Sequence, residues 1–129
     1  MRATYEGVFA TLFEWNLARW SGNVDMASFV TAIGLGALHS MNFMALVGIV
    51  VLFHGPLTNI PHGVLGAIGV SPLAITYNAF VRRNRYVEVV RRFKRRSTSK
   101  QRRTKILTWT YFVVSLAAPL LVALAFPKP

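Results

Sequence analysis

Apolar positions along this chain gather into three long uncharged runs, with a helically spaced stretch before the first and a dense cationic stretch before the third. In residues 5–20, YEGVFATLFEWNLARW, Tyr5, Phe9, Leu12, Phe13, Leu17 and Trp20 recur at mainly three- and four-residue steps, with Glu6 and Arg19 elsewhere on the wheel. That spacing predicts an amphipathic helix. Its Trp and Tyr rings, and the small amount of soluble chain available to pack against, place it in the membrane interface. The competing reading is an ordinary packed helix.

The break SGNVD follows, with Asp25 or an earlier polar residue as the cap of the next helix. Residues 26–53 carry no formal charge and exceed the roughly 20 residues needed to cross a bilayer core. They form the first expected span, long enough to tilt or to project a last turn. The connector HGPLTNIPHG reads as a turn, in which Asn59 could cap the next helix with Pro61 in its first turn. A second span covers 62–81, where Pro72 removes an intrahelical donor and predicts a kink. Beyond it Tyr86, Val89, Val90 and Phe93 share one face amid arginines, so span two is expected to continue as a basic amphipathic helix within a hairpin over 82–105. The polar run STSKQRR is its turn, and residues 106–126 form the third span, ending at FPKP.

The predicted fold is therefore all-α: one integral membrane domain over 1–129, with three transmembrane helices, an N-terminal interfacial helix and a basic cytoplasmic extension. No internal repeat suggests a transporter built from duplicated halves. Composition agrees, since 53% of residues are hydrophobic and the mean hydropathy is +0.43, high for so short a chain. Charge adds orientation. Against 4 acidic residues stand 15 Lys and Arg, and twelve of those lie between Arg82 and Lys105, with none between spans one and two. The positive-inside bias then puts the N-terminus in the cytoplasm and the C-terminus outside, in a cell inner membrane. Glu6 and Glu14 interrupt the first apolar stretch, so no cleavable leader is expected.

Few residues offer chemistry. The absence of cysteine excludes disulfides, thiolate metal sites and thiol nucleophiles. His39 and Asn42 lie one turn apart in mid-span, where polar groups normally find a partner inside the bundle. A proton or ligand site around His39 is one reading. The stronger one is an interhelical hydrogen bond, to Asn78, Ser115 or another polar group, because no carboxylate stands by as relay partner. Ala32, Gly36 and Ser40 follow small-xxx-small spacing, so these residues with His39 and Asn42 are the expected helix-packing set. His54 and His62 bracket the outer turn, but two imidazoles without nearby Cys, Asp or Glu make a poor metal site. The acidic residues are scattered, Glu88 having Arg91 or Arg92 at helical spacing, and no phosphate loop or nucleophile–base motif occurs. No enzyme activity, metal or cofactor is expected.

The basic segment has clearer consequences, since each Lys or Arg near an anionic leaflet contributes about 1 kcal/mol. Arg82, Arg83, Arg85, Arg91, Arg92, Lys94, Arg95 and Arg96 are the expected contacts to anionic phospholipids or a partner. Orientation alone needs far fewer charges. Nucleic acid is the weaker reading, because the aromatic residues here suit membrane contact better.

The stretch YNAFVRRNRYVEVVRRFKRRSTSKQRRTKI, with an apolar span after it, resembles a group of small uncharacterised bacterial three-span membrane proteins. These have an interfacial N-terminal segment, two apolar spans, a linker of pattern Y/F…+xxRYxxVxxxF+ and a final span. The likeness runs through the Trp and Tyr of 5–20, Asn78, Tyr86, Phe93 and the last span, and departs in the richness in Arg and in Ser71-Pro72. It implies fold and placement, and no activity. The expected role is a non-enzymatic accessory or scaffold subunit that meets other membrane proteins, or copies of itself, in the bilayer. The alternatives are a holin-like pore and an immunity protein against a membrane-acting toxin.

Overall fold

The computed structural model describes residues 2–55 and 60–125, and within them the chain is helical, with no strand. Five helices follow in order: α1 (Arg2–Arg19), α2 (Val24–His54), α3 (His62–Phe80), α4 (Arg85–Lys94) and α5 (Thr98–Ala125). Helices α2, α3 and α5 are long and apolar enough to cross a membrane. Only 22%, 17% and 11% of their apolar windows are buried within the protein, so most of that surface is left for lipid.

Each junction has a local cause. Between α1 and α2, Ser21 (φ 50°) and Gly22 (φ 82°) adopt left-handed backbone. The Asn23 side chain then accepts from Met26 N at 3.0 Å, so Asn23, the earlier polar residue, caps α2. Pro61 occupies the cap position of α3 rather than its first turn, and the proposed cap Asn59 lies outside the described residues. The end of span three at FPKP lies outside them as well.

Pro72 sits inside a helix that runs unbroken from His62 to Phe80. A proline there leaves the carbonyl four residues earlier, that of Ile68, without its usual donor. Ser71 Oγ donates to that same carbonyl at 2.8 Å, which replaces the lost bond.

The basic segment does not continue span two as one helix. Helix α3 ends at Phe80, and Asn84 takes left-handed backbone (φ 50°) before α4 begins. That turn swings α4 back across the bundle, where Tyr86, Val89 and Phe93 are buried. Helix α5 starts at Thr98, well before Ile106, so the expected polar turn STSKQRR is mostly its first turns.

Helix α1 is drawn into the bundle along one face. Phe9 and Ala10 have no exposed surface, and Leu12 and Phe13 are buried. The Phe9 ring stacks on Phe80 of α3 at 4.1 Å, and Phe13 meets Tyr86 of α4 at 5.8 Å. Asn16 Nδ2 donates to Thr31 Oγ1 of α2 at 2.9 Å, and Trp15 meets Trp109 of α5 edge-on at 5.8 Å. The apolar stripe that the sequence reading turned towards lipid is thus covered by protein, while Trp15 and Trp20 stay exposed.

Helices α2 and α3 approach closely at Gly36. A Cβ added there would stand 2.7 Å from Leu73 Cα and 3.1 Å from Pro72 O, inside contact distance of backbone that cannot swing aside. Gly36→Ala is therefore expected to destabilise the bundle by about 1–3 kcal/mol. Gly34→Ala, two positions away in open space, should be neutral or stabilising. Thermal unfolding in detergent compares the two, and equal midpoints would rule out the close crossing.

Candidate functional site

Four helices converge on a polar cluster halfway along α2. His39 Nδ1 lies 2.7 Å from the Leu35 carbonyl, which can only accept, so Nδ1 carries the proton there. Tyr111 Oη of α5 stands 3.5 Å from the same nitrogen, and the Tyr5 ring of α1 meets the imidazole edge-on at 5.5 Å. Tyr5 Oη in turn lies 3.2 Å from Thr76 Oγ1 of α3. One turn beyond His39, Asn42 Nδ2 donates to Tyr111 Oη and to Ser115 Oγ, each at 2.9 Å.

Both amide hydrogens of Asn42 are thereby used on α5. Among the described residues no buried side-chain nitrogen or oxygen lacks a partner. The members are imidazole, amide, phenol and hydroxyl groups, so the cluster can align helices through hydrogen bonds. Asn78 is not among them: its amide donates to Ala74 O of its own helix, and its oxygen accepts from Arg82. Of the small-residue stripe, Ala32 and Gly36 are buried and Ser40 Oγ donates back to Gly36 O at 3.1 Å. Among the described residues no group of three His, Cys, Asp or Glu side chains is placed to hold a metal, and the His62 side chain lies outside those residues.

The cationic residues form a shelf at the end of the bundle where α3 ends and α5 begins. Arg82, Arg83, Arg85, Arg91, Arg92, Lys94 and Arg95 are exposed and Arg96 is half-buried, its guanidinium 5.7 Å from the Phe93 ring centre. Helix α1 supplies counter-charges: Glu6 pairs with Arg92 at 3.8 Å and Glu14 with Lys105 at 3.3 Å. Arg92 also binds Glu88 one turn away through Nε and Nη2. That hydrogen bond, with the attraction of Arg92, holds the Glu88 carboxyl below the usual carboxylate range. Burial, followed by the nearby Asp25 charge, pushes the Tyr86 phenol up. Tyr86 Oη lies 3.5 Å from Asp25 Oδ1, bringing α4 to the start of α2.

Two hollows adjoin these features. One, of about 540 Å³, opens between α1, α2 and α5 over Val8, Leu35 and Leu107, with Tyr5, His39 and Tyr111 beside them. The other, of about 500 Å³, is lined by Arg96, Lys100, Arg103 and Thr104. Thr4 and Leu107 belong to both.

Three apolar helices with outward-facing surface define a multi-pass membrane protein. Compared with protein-family models, curated proteins and solved structures, the chain matches none.

Sequence reasoning named His39, Asn42 and Ser115 as polar partners, but took Tyr5 for an interfacial ring and drew neither Thr76 nor Tyr111 into the cluster. A signal existed for the last: Tyr111 and Ser115 lie four residues apart and so share one face of span three. Likewise Glu6 and Glu14 lie about two helical turns apart, which aligns both carboxylates. Asn42→Ala is expected to lower stability by about 1 kcal/mol, and by less once Tyr111→Phe and Ser115→Ala have removed its acceptors. Unfolding of the set in detergent gives that cycle. An equal loss in both backgrounds would mean that Asn42 bonds elsewhere.

Proposed function

We propose that this protein is a non-enzymatic accessory or scaffold subunit of the bacterial cytoplasmic membrane, with its N-terminus and basic shelf inside and its C-terminus outside. The observation that carries this reading is the construction of the shelf. The apolar face of α4 is turned to protein, through Tyr86, Val89 and Phe93, so the outward face carries Arg85, Arg91, Arg92 and Lys94, with Val87 and Glu88 among them. Such a surface suits an anionic leaflet or an acidic partner surface. The outward apolar faces of the spans offer the second contact, to lipid or to another membrane helix.

Orientation rests on the positive-inside bias, to which α4 and the start of α5 contribute at a single end of the bundle. The resemblance of residues 82–94 to the linker of small bacterial three-span proteins supports the same placement.

Two measurements test the proposal. A membrane-impermeant thiol reagent should label Ser97→Cys only from the cytoplasmic side and Ile60→Cys only from outside; the opposite pattern would invert the topology. Gentle detergent purification of the full chain should bring along a stoichiometric partner, which a triple variant Arg83→Gln, Arg91→Gln, Arg95→Gln releases. Recovery of the chain by itself at every detergent strength would end the accessory-subunit reading.

A further inference from the structure

We propose that the two hollows between α1 and α5 form one site for a single anionic phospholipid, with its phosphate on the cationic rim and an acyl chain along the apolar floor. The inference rests on the membrane placement above and narrows it from diffuse attraction to one bound molecule.

Continuity is the first argument. The apolar hollow and the cationic hollow share Thr4 and Leu107, so they meet at those two residues and one ligand can lie across both. Arg96, Lys100 and Arg103 gather at one end. At the other, Val8 and Leu35 form a buried floor.

The second is the match of this gradient to an amphiphile with a negatively charged head. Cationic side chains satisfy phosphate oxygens through charge-assisted hydrogen bonds. Neither a free anion nor a neutral hydrocarbon would use both ends. A phospholipid uses both.

The third is length. At a rise of about 1.5 Å per residue, α5 covers about 16 Å from Lys100 to Tyr111, of which about 8 Å lie beyond Ile106, where the uncharged run begins. The groove therefore runs from headgroup level to about half the depth of one leaflet's hydrocarbon, far enough to hold the upper part of an acyl chain. His39 and Tyr111 mark that depth.

The rim is also built rather than incidental. At Gly7 α1 approaches α5 so closely that a Cβ would stand 2.6 Å from Thr104 Cγ2 and 3.1 Å from Arg96 Nη1. The absence of a side chain there lets α1 form one wall with both groups against it.

The test is native mass spectrometry of the full chain in mild detergent, titrated with phosphatidylglycerol or phosphatidylcholine. One equivalent of phosphatidylglycerol should be retained and no phosphatidylcholine. The pair Lys100→Gln and Arg103→Gln should weaken retention about thirtyfold, at about tenfold for each 1.4 kcal/mol and about 1 kcal/mol per cation. Leu107→Trp, which fills the groove at an exposed position and leaves every charge in place, should abolish it. Arg83→Gln with Arg91→Gln removes the same charge from the shelf and should change nothing. If that control weakens binding as much as the rim pair, or if Leu107→Trp still holds its lipid, the groove is not the site, and a diffuse shelf remains compatible with the proposed function. Competition by inorganic phosphate without loss on Leu107→Trp would reduce the site to an anion pocket and overturn the lipid assignment.

Discussion

Phe9 has no exposed surface, and its burial is the constraint on which the rest of the bundle depends. Spans that face lipid gain little from packing on one another, because hydrocarbon tails are as apolar as the side chains they would replace. Association must then come from close fit and from polar bonds. Helix α1 supplies both: Phe9 stacks on Phe80, Asn16 bonds Thr31, and Tyr5 reaches Thr76. Helix α1 thereby adds to the bonds the spans make with one another, at Gly36 between α2 and α3 and through Asn42 between α2 and α5.

The same helix explains how so many cations can sit in one small volume. Like charges along α4 and the start of α5 repel, and exposed ion pairs contribute little each. Glu6 and Glu14 nevertheless fix the relative positions of three helices, by pairing with Arg92 and Lys105 from a side where they are only 12% and 28% exposed. Burial of Tyr86, Val89 and Phe93 contributes the larger share of attachment, so the charges themselves are left to face outward.

How much of this was legible in the sequence follows from which interactions are local. The spans expected at 26–53, 62–81 and 106–126 correspond to α2, α3 and α5, because a long uncharged run has few alternatives to a membrane helix. Helix ends were less legible. Lys100, Gln101, Arg102 and Arg103 are good helix formers, so polarity that reads as a turn became the start of α5. At Asn84 the clue was one residue type that tolerates left-handed backbone, hidden in a run that otherwise keeps helical period. The partner of the α1 stripe was not legible at all. Periodicity reports that a face is apolar, and lipid and protein satisfy that face equally well.

That ambiguity also bears on the groove. If α1 had lain flat in the interface, its apolar side would have met lipid along its whole length and no recess would have formed. Because Phe9 and Phe13 dock it against α3 and α4, Thr4, Tyr5 and Val8 form a wall opposite Leu107 and Tyr111 of α5. Gly7 sets how close that wall stands to Thr104. The recess, the cationic rim and the hydrogen-bonded cluster at its deep end are therefore consequences of one packing decision, in which a helix of interfacial composition is drawn inward by aromatic contacts. A change that loosened Phe9 would alter all three together, whereas changes at the rim would alter only what the recess can hold.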